Sequence, residues 1–138
     1  MVVRYLDGVD IVRDAITEIA DEVGVITHVA YQAREEGYYA LHITATVPLP
    51  FPSRDWRTTR LDIPVEIQVC TQVQEVLRAL THKFYEDRRR RPTVTDEKWQ
   101  WNCHSEQFVP NYLGHLLHYA DGMIVNVRHQ REIRDRAE

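Results

Sequence analysis

Cysteine is scarce: Cys70 and Cys103 are the only two in 138 residues, far apart and in no Cys-x-x-Cys unit. They read as the reduced thiols of a cytoplasmic protein and give no disulfide framework. Long apolar runs are missing as well. Nothing approaches the ~20 consecutive apolar residues that a membrane-spanning helix needs. The start, MVVRYLDG, lacks the basic opening and apolar core of a signal peptide. Strong charge of either sign is also absent. A formal net charge of −4 gives no global case for nucleic-acid or anionic-membrane partners. What remains is one soluble domain, large enough to bury a core without staples.

The chain then divides by apolar period. Val2–Leu6 is short and apolar and ends at Asp7-Gly8, which predicts a strand and a turn. Between Val9 and Val23 the residues Ile11, Val12, Ala15, Ile16, Ile19 and Ala20 repeat at helical spacing, up to a stop near Gly24. Val25–Ala33 and Tyr38–Val47 read as strands around a polar turn at 34–37. Pro48, Pro50 and Pro52 are expected to end the second strand. Residues 48–62, with Arg54, Asp55, Trp56, Arg57 and Arg60, then form a long loop. Ile63–Cys70 alternates as a strand, and Val73, Val76, Leu77, Leu80 and Phe84 continue at helical spacing. A last helix over 105–135 carries the apolar stripe Leu113, Leu116, Ala120, Met123, Ile124 and Val127. The order β-α-β-β-β-α-α predicts an α+β domain with a mixed, mainly antiparallel sheet of about four strands packed with helices.

The two central strands carry the chemistry. Tyr38, Ala40, His42, Thr44 and Thr46 share one face, opposite Tyr39, Leu41, Ile43, Ala45 and Val47. The next strand divides the same way, with Glu66 and Gln68 on the polar side. If the strands pair with their apolar faces together, Tyr38, His42, Glu66 and Gln68 converge on the other side. A carboxylate, an imidazole and a flat aromatic on one rigid surface suit a nucleotide or catalytic site; a solvated sheet face is the alternative.

Three stretches carry a family resemblance. Glu36-Gly37-Tyr38-Tyr39-Ala40-Leu41-His42 resembles the Asn-Gly-Tyr-x-Ser-Leu-His motif of RelA/SpoT-type (p)ppGpp synthetases. Val65-Glu66-Ile67-Gln68-Val69-Cys70-Thr71 is similar to that family's Val-Glu-Ile-Gln-Ile-Arg-Thr. Ala79, His82 and Tyr85 resemble its Ala-x-x-x-His-x-x-Tyr, though with His82 only three residues after Ala79. Asn111–His115 looks like the tail of stand-alone members. The resemblance implies a nucleotidyltransferase-like synthetase fold lacking its N-terminal helices. Residues 1–138 would then be the C-terminal two-thirds of the family domain.

The family transfers pyrophosphate from ATP to the ribose 3′-hydroxyl of GTP or GDP. The resemblance thus implies guanine nucleotide (GDP or GTP) and ATP as ligands and magnesium as cofactor. Glu66 would be the catalytic base or magnesium ligand, Tyr38 would stack on guanine, and Arg34, His42 and Gln68 would contact the nucleotide. Arg4, Glu36 and His82 are further candidates. The departures are as specific. The family's metal-binding Asp precedes the match to Arg4 by five residues and would fall before Met1. Glu36 replaces Asn, Cys70 replaces Arg, and Thr27 stands at a basic position. Each change removes positive charge or metal affinity where polyphosphate is held, so the expectation is a domain that binds without turnover. Two alternatives stay open: an active pyrophosphokinase completed by a longer native chain, and a toxin-type relative acting on a tRNA end.

Other signals carry less. Arg88–Arg91 suit a solvated helix end that they complement by charge, with a grip on RNA or a polyphosphate as the alternative. Cys103, His104, His115 and His118 fit no standard zinc spacing. Trp56, Trp99 and Trp101 suit packing anchors. The stripe on the last helix exceeds what one small sheet needs, which predicts a homo-oligomer through that helix.

Overall fold

The computed structural model describes residues 1–52, 54, 57–90 and 98–137, without the side chains of 83–85 and 87–90. Its elements are β1 (Val2–Val3), α1 (Asp7–Glu22), β2 (Thr27–Ala33), β3 (Tyr39–Pro52), β4 (Thr58–Thr71), α2 (Gln72–Arg90), a 3-10 turn (Trp99–Trp101) and α3 (Phe108–Asp135). The four strands form one sheet in the order β1-β4-β3-β2. β1 runs parallel to β4, and the other two pairings are antiparallel. The mixed α+β architecture is the one the periodicities predict. Trp56, the side chain of Phe84 and the side chains of Arg88–Arg91 lie outside the described residues.

The core follows from two periods meeting. Leu41, Ile43 and Val69 stand on one sheet face at period two, and Val9 of α1 closes over them. Val12 and Ile16, at helical spacing from Val9, pack on the same cluster with Val29 and Ile67. α1 ends where Gly24 takes φ 70°. There the Val25 N–H reaches the Ala20 carbonyl and the Gly24 N–H reaches that of Asp21, a Schellman closure.

The turn expected at Asp7-Gly8 is instead the start of α1, which begins at Asp7, and a second expectation is overturned. The prolines do not end β3, and residues 48–52 and 58–62 are strand, not loop: β3 and β4 pair continuously from Leu41↔Val69 out to Pro52↔Thr58. Pro48, Pro50 and Pro52 alternate along β3, so all three nitrogens face the same side. That side is away from β4, and β2 pairs no further along β3 than Ala45. Pro64, opposite Thr46, sits the same way on the outer side of β4, where β1 reaches only Cys70 and Thr71. No ladder bond is lost at any of the four. The result is a two-stranded arm whose Leu49, Phe51, Leu61, Ile63 and Val65 are 38–56% exposed.

α3 is turned opposite to a simple amphipathic docking. Leu113, Leu116, Met123, Ile124 and Val127 face outward, 36–62% exposed, while Asn111, Gly114 and Asp121 are buried against the body. A polar ridge, and not the apolar stripe, joins α3 to the rest of the chain.

Candidate functional site

The site is built on the face of β3 and β4 away from the core. The turn before β3 is closed by the Arg34 N–H on the Tyr38 carbonyl and the Gly37 N–H on the Arg34 carbonyl. Gly37 has φ 76°, the left-handed position that such a three-residue connection places before the second strand. This turn aims Tyr38 onto the polar face. His42 then lies opposite Gln68, with Glu66 on the diagonal opposite Thr44.

The four side chains form one hydrogen-bonded chain. Tyr38 Oη lies 3.0 Å from His42 Nε2, and His42 Nδ1 lies 2.7 Å from Glu66 Oε1. Gln68 Nε2 donates to Glu66 Oε2 at 3.2 Å. A carboxylate only accepts, so His42 donates from Nδ1 and the Tyr38 hydroxyl donates to Nε2. The Arg34 guanidinium stands 5.4 Å from the centre of the Tyr38 ring, within cation–π reach. Burial pushes the Tyr38 phenol up, the nearby Cys70 thiol adds to that, and Arg34 opposes it.

At the start of α2, Arg78 pairs with Glu75 at 2.7 Å and holds that carboxyl below its usual range. Burial raises the Cys70 thiol, and Glu75 reinforces the effect. Arg78 also opposes, weakly, the upward push on the Tyr38 phenol. Arg78 is not among the residues that the sequence singles out. Its signal was the i, i+3 spacing from Glu75, on the helix that follows the polar strand.

The turn and α2 are clamped by the inner ridge of α3. Gly37 and Gly114 meet backbone to backbone: a Cβ on Gly114 would lie 2.9 Å from Gly37 Cα. His115 Nε2 is 2.8 Å from the Glu35 carbonyl, and its Nδ1 is 2.8 Å from the Tyr39 hydroxyl. The His118 ring stacks on Tyr39 at 3.7 Å, and Gln74 Nε2 donates to the Gly114 carbonyl at 3.2 Å. Thr71, which accepts the Gln74 N–H as the cap of α2, donates its hydroxyl to buried Asp121. Burial lowers the pKa of His118, which Asp121 opposes and His115 reinforces.

The structure brings together Tyr38, His42, Glu66 and Gln68, with Arg34 on Tyr38. It does not add the other three candidates to that chain. Arg4 leans on the Tyr5 ring at 5.2 Å, Glu36 is exposed in the turn, and His82 faces Glu86 at 3.7 Å. Glu66 is the one carboxylate in that chain. Both Glu66 oxygens hold hydrogen-bond donors, and among the described residues no three His, Cys, Asp or Glu come together to hold a metal. His115 and His118 make their contacts to Tyr39 and the Glu35 carbonyl. No helix among the described residues is long and apolar enough to cross a membrane.

No family model and no curated protein matches the sequence. Solved structures do match the fold. Small alarmone synthetase 2 from Bacillus subtilis superposes with a TM-score of 0.65 at 13% identity, covering 94% of this chain and 63% of that one. Small alarmone synthetase 1 from the same organism, bound to its product pppGpp, gives 0.62 at 14%, covering 94% and 59%. A GTP pyrophosphokinase family protein from Streptococcus pneumoniae gives 0.60 at 16%, covering 96% and 59%. The chain therefore spans about three-fifths of the length of these neighbours. Over that length, it has the fold of the alarmone synthetases.

Proposed function

We propose that this chain binds a guanine nucleotide on the polar face of β3 and β4 and, by itself, transfers no pyrophosphate. The observation that carries the reading is the continuous chain Tyr38–His42–Glu66–Gln68 with Arg34 on the Tyr38 ring. It offers a flat aromatic for a base, a guanidinium for phosphate and an ordered polar row for a sugar. Fold neighbours crystallised with pppGpp and with AMPCPP support guanine nucleotide first and ATP second. Glu36, Cys70 and Thr27, where the resembled motifs carry Asn or a basic residue, support binding without turnover, since each weakens the hold on polyphosphate.

Calorimetry with GDP tests the binding. Tyr38→Ala should weaken it at least tenfold, and unchanged affinity would reject stacking on Tyr38. For turnover, the chain is mixed with radiolabelled ATP, magnesium and GDP, GTP or tRNA, and no acceptor should gain label. Label that appears and is lost in Glu66→Gln would establish the second reading, an active pyrophosphokinase or tRNA 3′-pyrophosphokinase. Coverage of only 59–63% of the neighbours' chains favours keeping that reading for a longer native protein.

The outward stripe of α3 supports the homo-oligomer. Leu113, Leu116, Ala120, Met123 and Val127 follow one another by three and four residues, the seam of a paired helix. Light scattering should find a dimer or higher species that Met123→Glu dissociates. A monomeric wild-type chain at high micromolar concentration would end the proposal.

A further inference from the structure

Glu66 gives Oε1 to the Nδ1–H of His42 at 2.7 Å and Oε2 to the Gln68 amide at 3.2 Å. The carboxylate is thus occupied on both oxygens, at a position that is 47% exposed against 15% for the His42 side chain. An acceptor-only group at Nδ1 also decides the state of the ring. The neutral imidazole must keep its proton on Nδ1 and present a lone pair at Nε2. That lone pair faces an O–H donor, the Tyr38 hydroxyl, at 3.0 Å. On the neutral ring a phosphate oxygen cannot take the same place, because two acceptors would then face each other. A hydroxyl can.

We propose that Glu66 is a positioning residue and not a metal ligand, and that His42 Nε2 accepts the hydrogen bond of a ligand's sugar hydroxyl. The Tyr38 hydroxyl occupies that position here, and the Tyr38 ring shifts to yield it when the ligand enters. The choice of a nucleotide sugar rests on the reading of the polar face given above; the role of Glu66 toward His42 does not.

Two measurements test the two halves. In nitrogen-15 labelled protein at alkaline pH, two-bond proton–nitrogen correlations read which ring nitrogen of His42 carries the proton. The wild type should show Nδ1–H, and Glu66→Ala should revert to Nε2–H, the form imidazole prefers in water. Loosened packing alone would not move the proton between nitrogens. Nε2–H in the wild type, or an unchanged tautomer in Glu66→Ala, would overturn the positioning role. In calorimetry with EDTA present, 2′-deoxy-GDP or 3′-deoxy-GDP should bind up to about tenfold more weakly than GDP, the loss of one hydrogen bond. Tyr38→Phe should bind GDP at least as tightly as the wild type. Equal affinities for GDP and both deoxy analogues, or weaker binding by Tyr38→Phe, would overturn the Nε2 assignment. If GDP itself fails to bind, the nucleotide reading falls, and the tautomer spectra still decide what Glu66 does.

Discussion

Replacing Gly114 with alanine sets two effects of opposite sign against each other. Gly114 lies inside α3, where exchanging glycine for alanine ordinarily adds about 1 kcal/mol of helix stability. Its hydrogen, however, faces the backbone of the Gly37 turn: an added Cβ would lie 2.8 Å from Gly37 C and 2.9 Å from its Cα, and closer still to its carbonyl oxygen. These are main-chain atoms of a turn fixed by two backbone hydrogen bonds, so no flexible side chain can swing away. Overpacking of this kind costs about 1–3 kcal/mol. The helix must also lift from the turn, which strains the His115 bridge to the Glu35 carbonyl and the Gln74 bond to the Gly114 carbonyl. The steric term wins, and Gly114→Ala should destabilise by about 1–2 kcal/mol. Gly122 in the same helix supplies the control. Its nearest outside atom is Leu6 Cδ2 at 4.0 Å, ordinary contact, so Gly122→Ala should stabilise by about 0.5–1 kcal/mol. Urea midpoints of the two variants decide the matter. If Gly114→Ala is as stable as Gly122→Ala, the close docking of α3 on the turn is refuted.

Thr71→Ala removes the hydroxyl that serves Asp121, a residue only 1% exposed, and should cost about 1–3 kcal/mol in chemical denaturation. Leu41→Ala, at the centre of the core, should cost about 2–5 kcal/mol by the same assay. His118 titrates below its ordinary 6.5 in the folded chain, so the unfolded chain binds the extra proton first. Its contribution is complete above pH 6.5 and is lost as the pH falls from there through the lowered folded value. Urea midpoints should drop on that side, less steeply in His118→Gln; the groups facing it are Tyr39, His115 and Asp121.

Particular residues show what the sequence could and could not reveal. Period-two alternation in Tyr39–Val47 and Val65–Cys70 is a local property, and it located the polar face and the convergence of Tyr38, His42, Glu66 and Gln68. The continuation of β3 past Pro48 was not local. Whether a proline breaks a strand depends on which neighbour its nitrogen faces, and that depends on where β2 ends. The orientation of α3 was hidden for a similar reason. Its apolar stripe is the stronger periodic signal, but the contacts that dock the helix are specific ones: glycine on glycine at 37 and 114, and His118 flat on Tyr39. Arg78 lay on a helix face whose direction only the tertiary structure supplies.

The arm of β3 and β4 has one last consequence, for how these molecules behave in a crowd. A free strand edge recruits other strands through its unused N–H groups. Along the outer rim of β3 every second residue from Pro48 to Pro52 has no such group to offer, and Pro64 blanks a further position on the opposite rim. A sticky arm with apolar side chains has thereby been made a poor template for fibril growth. Substituting all three β3 prolines with threonine should leave the hairpin paired and turn its rim into a seed for aggregation, visible as thioflavin-positive material on gentle heating.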